Sequence, residues 1–265
     1  MTRRSGTAST PNHDQAPLDG IINLNKPAGI TSAKALYRVR KIVGQKKSGH
    51  AGTLDPGATG VLLICLGRAT KLVESIMDHP KVYLAGARFD VTSEPFDSDS
   101  SIAAVSVASI PTREDVDAAR RMFEGTIEQV PPIVSAVKVG GVRAYKLARR
   151  GEAPVLRPRA VRIDWIHVHR YDWPCIEFEM CCGRGTYVRS LIRDWGRRLG
   201  VGGCLTSLAR TRVGPFDQAD ACSCELLEES GRADAHVVPL DRAKTLVSPE
   251  AVSIPPRPVP RTTAI

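Results

Sequence analysis

The sequence predicts an α+β fold on a mixed, largely antiparallel sheet with flanking helices, and three observations carry that prediction. Strand-like and helix-like segments alternate along the chain without a repeated βαβ period. The clearest strand, 175–181, sets Ile176, Phe178 and Met180 on one side and Glu177 and Glu179 on the other. Apolar residues make up 42% and charged residues 25% of 265 positions, enough for a sizeable core without staples.

The elements follow in order. Gly20 to Leu24 reads as a short apolar strand. Thr31 and Ser32 then offer an N-cap to a helix with Leu36, Val39 and Val43 on one face, and Gly44 is its stop. Val61 to Leu66 has the length of a buried strand, and a helix is expected over 70–77 through Leu72, Val73 and Ile76. From Lys81 to Phe89 the alternation puts Tyr83, Ala85, Ala87 and Phe89 together. Thr112 and Asp115 form a capping box for a helix with Val116, Ala119 and Phe123, ending at Gly125. After the 175–181 strand and the turn Gly183-Arg184-Gly185, Thr186 is placed to cap a helix bearing Val188, Leu191, Ile192, Trp195 and Leu199. Residues 1–19 read as a disordered leader, 20–245 as the folded domain, and 246–265 as a proline-rich extended tail.

Charge and cysteine content narrow the function. Lys plus Arg is 37 against 28 for Asp plus Glu, a net charge of +9, which points to an anionic partner with nucleic acid first. No apolar run approaches the roughly 20 residues of a membrane helix, and the N-terminus carries no apolar segment of signal-peptide type. Seven cysteines, an odd number, read as reduced thiols in the cytoplasm. Their spacing is not that of a zinc knuckle, so no metal is expected.

Three segments are candidates for chemistry. Gly49 to Gly60 holds four glycines and a proline in twelve residues, a tight loop able to fix Asp55 above a sheet. A plain turn with Asp55 as a cap also fits it. A phosphate-cradling loop fits less well, because the Lys of a P-loop is missing. In Gly183 to Arg189, Arg189 falls in the first turn of a helix and shares a face with Arg193 and Arg197. Either this is a solvated basic stripe, or Arg189 turns inward to pair with a buried carboxylate. Between Lys138 and Arg170 lie nine basic residues against Glu152 and Asp164, punctuated by glycine and proline. Lys138, Arg143, Lys146, Arg149 and Arg150 there suit contacts to an RNA backbone, and a solvated charged loop is the alternative.

Gly49-His-Ala-Gly-Thr-Leu-Asp-Pro-Gly-Ala-Thr-Gly60, running on to Lys71, closely resembles the catalytic signature of the TruB-type tRNA pseudouridine synthases. Asn25 to Ser32, Lys81-Val-Tyr83, Pro131 to Lys138 with Gly141 to Tyr145, and Gly183 to Arg189 resemble that family's other motifs in order and spacing. The resemblance spans about residues 20–215. It implies a pseudouridine synthase sheet with an RNA-gripping insertion at about 130–160. The implied activity is isomerisation of the T-loop uridine of tRNA, position 55, to pseudouridine after base flipping, with no cofactor.

By the same resemblance Asp55 is the catalytic aspartate, attacking C1′ or C6 or initiating deprotonation of the sugar. Tyr83 stacks on the target base, Arg189 pairs with the aspartate, and His50 holds the T loop open. Tyr187, Lys26, Lys71 and Leu208 line or support the pocket. Where relatives carry Thr-Asp-Thr-x-Asp after the tyrosine motif, this chain reads Ser93-Glu94-Pro95-Phe96-Asp97, which keeps Asp97 as a second partner for Arg189. The short stretch after Pro215 leads to the expectation that a PUA domain is absent or vestigial and that the chain is a monomer. An RNA-binding or tRNA-folding module without catalysis, and a guide-RNA-directed synthase, are the alternatives. Retention of Asp55, Tyr83 and Arg189 counts against the first and the short C-terminus against the second. A glycosidase would need a second carboxylate flanking the bond, and none stands in a matching setting.

Overall fold

A computed structural model describes residues 18–93, 102–135, 137–148, 150–152 and 154–258. Its framework is a ten-stranded sheet: β1 (Gly20–Lys26), β2 (Ser48–Ala51), β3 (Thr59–Leu66), β4 (Lys81–Arg88), β5 (Gly125–Gln129), β6 (Arg159–Asp172), β7 (Cys175–Cys182), β8 (Cys204–Val213), β9 (Phe216–Asp217) and β10 (Val237–Pro239). The strands lie in the order β10-β1-β3-β8-β4-β7-β6-β5, with β2 beside β3 and β9 beside β8. The β3–β8 pair is parallel and the other pairs are antiparallel, which is the mixed, largely antiparallel sheet expected.

Among the described residues there are seven α-helices: α1 (Ser32–Val43), α2 (Val73–Asp78), α3 (Arg113–Arg121), α4 (Ala144–Ala148), α5 (Val188–Leu199), α6 (Cys224–Glu229) and α7 (Leu240–Leu246). On one side α3 and α5 cover β4, β6 and β7. Trp195 of α5 meets Phe89 and Phe178 edge-on at 5.9 and 5.6 Å, at the centre of the largest core cluster. Around β3, Leu62 and Ile64 pack in the cluster with Ala35 and Val39 of α1, while Val61, Leu63 and Cys65 pack with Ile76 of α2 and Ala243 of α7. Burial on both faces explains why β3 reads as an unbroken apolar run rather than an alternating one.

Several local predictions hold. Thr31 caps α1 by accepting from the Lys34 amide, and Gly44 ends that helix in the left-handed region. The Thr112–Asp115 capping box is closed in both directions. Others are corrected. The helix expected over 70–77 is a 3₁₀ segment, Gly67–Leu72, followed by the single short helix α2. Thr186 is not the cap of α5. Tyr187 holds that position without a side-chain bond, and the Thr186 hydroxyl donates to the Gly183 carbonyl at 3.2 Å, tightening the turn instead.

Of the expected leader, Leu18 packs against the α1 core and Asp19 binds Arg68, Oδ2 to Nε at 2.6 Å. The basic excursion ends earlier than Arg170, because Arg159–Asp172 is the fourteen-residue strand β6. Its buried Val161, Ile163 and Trp165 are interleaved with Arg162 and Asp164, which hides the strand. Part of the tail is placed as well. Pro255 accepts from Trp165 Nε1 at 2.7 Å, and Arg257 pairs with Glu124 at 2.7 Å.

Five of the six buried cysteines make stability sensitive to alkali. Burial pushes the thiols of Cys65 and Cys182 up to about 12 and that of Cys222 to about 11, and raises Cys181 and Cys224, all from 9.0. Above pH 9 an unfolded chain would release these protons while the folded chain holds them, so stability falls with rising pH. Lys26 and Lys81, pulled down by burial to about 8 from 10.5, act in the opposite direction but are two against five. We therefore expect the denaturation midpoint under reducing conditions to drop between pH 8.5 and 10.5, and Cys65→Val to flatten that drop.

Candidate active site

The loop joining β2 to β3 carries Asp55, and three side chains from elsewhere fix it. The Ser32 hydroxyl, at the start of α1, accepts from the Leu54 amide at 2.8 Å and donates to the Leu54 carbonyl at 3.0 Å. The fully buried Lys26 ammonium donates to the carbonyls of Pro27 and Ile30 at 2.8 Å each and to that of Pro56 at 3.2 Å. Lys26 thus supports the loop from below and does not line the pocket. Burial lowers its pKa, while the nearby Asp55 charge opposes that fall.

The third is Arg210. Two strands share the far edge of β3, with β2 along 63–66 and β8 at 59–60. Arg210 fills the gap where they part: its Nε donates to the Val61 carbonyl at 2.8 Å and its Nη2 to the Gly52 carbonyl at 3.1 Å. Gly60 is required beside it, because a Cβ there would stand 2.2 Å from the Arg210 carbonyl oxygen at a φ of +98°. Gly60→Ala should cost at least about 2 kcal/mol and lower the melting temperature, since two backbones would have to separate.

Opposite the loop, Arg189 projects from the first turn of α5. Its Nη2 lies 2.9 Å from Asp55 Oδ2 and donates to the Val134 carbonyl at 3.0 Å. The inward pairing foreseen is present, but the burial is reversed: the arginine side chain is 4% exposed and the carboxylate 46%. Along the predicted arginine face, Arg193 is also buried and bonded to Asp194, whereas Arg197 is 71% exposed. The stripe therefore has both an inward end and a solvated end.

Between loop and helix lies a cavity of about 250 Å³. Asp55, Tyr83, Tyr187, Arg189, Leu208 and Arg210 are among its walls. Tyr83 on β4 stands opposite Arg210 on β8, and Leu208 opposite Ala85, so one face of that strand pair forms a floor. Burial raises the Tyr83 pKa, and the charge of Arg210 with a hydrogen bond from it works against that rise. Tyr187 is likewise raised by burial, and its backbone is clasped by Gln129, whose Oε1 accepts from the Tyr187 amide at 2.8 Å. Lys81 is also in the wall, with its ammonium held by the carbonyls of Met77 and His79.

Not every predicted residue reaches this cavity. His50 on β2 lies beside it, with a buried Nδ1 that has no hydrogen-bond partner among the described residues. Its pKa is lowered by burial and then by the charges of Arg210 and Arg143. Lys71 is exposed on the 3₁₀ segment and does not line the cavity. Lys138 and Arg143 stand exposed on a two-stranded ribbon turned by Gly140 and Gly141, and Lys146 and Arg150 are exposed just after it. Asp97 and Arg149 lie outside the described residues.

The segment that follows β5 is tied to the same helix as Arg189. The Val130 carbonyl accepts from Ser190 Oγ at 2.8 Å and Arg193 Nη2 at 3.0 Å, in addition to the Arg189 contact at Val134. Sequence reasoning missed Ser32 as a loop anchor, because its position also fits an N-cap. It missed Arg210 because nothing sets one arginine apart in a chain with 37 basic residues.

Residues 40–188 match the N-terminal domain of the TruB family pseudouridylate synthases, and residues 189–247 match the tRNA pseudouridylate synthase B C-terminal domain. The chain is 44% identical over 235 residues to tRNA pseudouridine synthase B of Symbiobacterium thermophilum, covering 88% of this chain and 78% of that protein. It is 46% identical over 207 residues to the protein of the same name from Cutibacterium acnes, covering 77% and 70%. Among solved structures it is similar to one in a crystal structure of a Cbf5-Nop10-Gar1 complex, with a TM-score of 0.67 and 28% identity over 88% of this chain and 67% of that one. A carboxylate–guanidinium pair over a tyrosine-floored cavity, on a sheet of this order and in a chain this similar, places the protein in the TruB family of pseudouridylate synthases.

Proposed function

We propose that this chain converts a uridine in the T loop of tRNA, at position 55, to pseudouridine. The observation that carries the reading is the Asp55–Arg189 pair at the cavity, with Tyr83 and Leu208 as a flat floor for a base. The target base lies in a folded loop, and extruding it costs a few kcal/mol. Stacking on Tyr83 returns about 1–3 kcal/mol, and phosphate contacts offset the rest. Asp55 then attacks C1′ or C6, or initiates loss of a sugar proton. The N1–C1′ bond breaks, the uracil turns, and C5 joins C1′. The C5 proton leaves and N1 gains one, so atoms and electrons balance and no cofactor is consumed.

In this reading Arg189 orients the carboxylate, and Lys26 with Ser32 holds the loop that presents it. Tyr187 walls the base in, His50 keeps the T loop open from beside the cavity, and Asp97 is a second acid for the arginine. Lys71 acts at the RNA surface rather than in the pocket. A monomer is taken as the active unit. Seven free thiols suit a reducing compartment such as the cytoplasm. No helix among the described residues is long and apolar enough to cross a membrane.

Purified protein is to be incubated with an unmodified tRNA transcript and pseudouridine mapped by carbodiimide-stop sequencing. A stop at the T-loop uridine is expected, and an unchanged transcript would overturn the reading. The basic ribbon makes a second prediction. Neutralising Lys138, Arg143, Lys146 and Arg150, with Arg149 from the same stretch, should flatten the dependence of log affinity on log salt. The slope should fall by roughly 0.7–0.9 for each phosphate contact removed. Filter binding across 50–300 mM salt reads this, and an unchanged slope would move the phosphate contacts elsewhere.

A further inference from the structure

We propose that Arg210 is a catalytic group of this reaction, stabilising the negative charge that builds up on the uracil as the glycosidic bond breaks. This rests on the uridine-isomerisation reading above and adds to it a role for a charge outside the Asp55–Arg189 pair.

The argument begins with counter-ions. Three arginines are buried among the described residues: Arg189, Arg193 and Arg210. Arg189 meets Asp55 and Arg193 meets Asp194. Arg210, 1% exposed, pairs with no carboxylate among the described residues; it donates to two backbone carbonyls and hydrogen-bonds Tyr83 in the cavity wall. A buried charge without an opposite charge is costly, and folds rarely keep one without use. The other two buried cations of the site, Lys26 and Lys81, can shed their charge, being pulled down to about 8 by burial. A guanidinium cannot. Arg210 is therefore a permanent positive charge within a cavity wall, and its reach is visible in the lowered pKa values of Lys26, His50 and Lys81.

The chemistry supplies the missing anion. Heterolysis of N1–C1′ leaves the bonding pair on the base, giving a uracil anion. Attack at C6 puts the same charge on the base as an enolate. After rotation the pair returns to carbon as C5 bonds to C1′. On every route the base is negative only between reactant and product, so a fixed cation beside it favours the transition state over the ground state. Tyr83 faces Arg210 across the β4–β8 pair, so a base stacked on the tyrosine lies next to the guanidinium. Arg189 cannot serve equally, since Asp55 already neutralises it.

The test uses Arg210→Ala in full-length protein, under single turnover with unmodified tRNA transcript. The rate should fall by about 10²–10³-fold, with tRNA affinity changed less than about threefold. Guanidinium chloride at about 50 mM should restore the variant's rate at least tenfold. Urea, of the same shape but uncharged, should not, and sodium chloride holds ionic strength equal. Equal rescue by urea, no rescue by guanidinium, or a rate loss under threefold would each overturn the proposal, leaving Arg210 a structural clamp. If Arg210→Ala does not fold, Arg210→Lys is compared with Arg210→Gln. A lysine variant at least tenfold faster supports the role of charge, and equal rates overturn it. Wild type runs alongside: its failure to modify the transcript would sink the isomerisation reading itself, whereas failed rescue with active wild type sinks only the role of Arg210.

Discussion

Asp55→Asn should yield no detectable pseudouridine at the T-loop uridine while tRNA binding stays within a few-fold of wild type. Asparagine keeps the shape, and its carbonyl oxygen can still accept from Arg189 Nη2, so the loop need not move. The anchors at Leu54 and Pro56 use backbone atoms and Lys26 or Ser32, none of which the substitution touches. What is lost is the carboxylate charge and its capacity to attack carbon or take a proton. C1′ attack, C6 attack and sugar deprotonation all need it, so the single-turnover rate should drop by at least about 10⁴-fold. On the proposed reading the RNA is held through phosphates elsewhere, so affinity should stay nearly unchanged. The variant also leaves the Arg189 guanidinium buried beside a neutral partner. The asparagine oxygen can keep the hydrogen bond but not the opposite charge, so some loss of stability is expected alongside the loss of activity. Product within tenfold of wild type would remove Asp55 from the chemistry.

How far the site could be read from the sequence depends on the kind of interaction involved. Local signals were visible: the αL stop at Gly44, the capping box at Thr112, and the alternation that puts Ala85, Ala87 and Phe89 in one core. Asp55 stood out because four glycines and a proline are costly unless a tight loop needs them. Its pairing with Arg189 was foreseen in type but not in burial. Spacing along one helix says which residues share a face, not which of them a distant loop will cover. The role of Arg210 depends on a gap between β2 and β8 along β3, an outcome of strand pairing between residues 150 positions apart. No window of sequence holds that information. β6 was missed for another reason: its outward positions carry charge, and its polar edge looked like the basic loop that precedes it.

Arg189 should show the second largest effect, and of a different kind. One nitrogen of its guanidinium serves both Asp55 and the Val134 carbonyl, so it joins the Asp55 loop to the segment proposed to grip the RNA. Arg189→Met should therefore change two constants. The single-turnover rate should fall by about 10²–10³-fold, because the carboxylate loses its fixed orientation. KM should rise several-fold, because the insertion loses one of its ties to α5. Arg189→Lys should fall between the two, since a shorter stem ending in a compact ammonium cannot hold both partners in the geometry of a planar fork. The double variant decides whether Arg189 acts through Asp55. Once the carboxylate is gone there is nothing left to orient, so Asp55→Asn with Arg189→Met should be no slower than Asp55→Asn alone, although its KM should still be raised. Fully multiplicative rate losses would mean that Arg189 contacts the reacting nucleotide itself, and the division of labour between the two arginines, one for the enzyme's acid and one for the base's charge, would have to be redrawn.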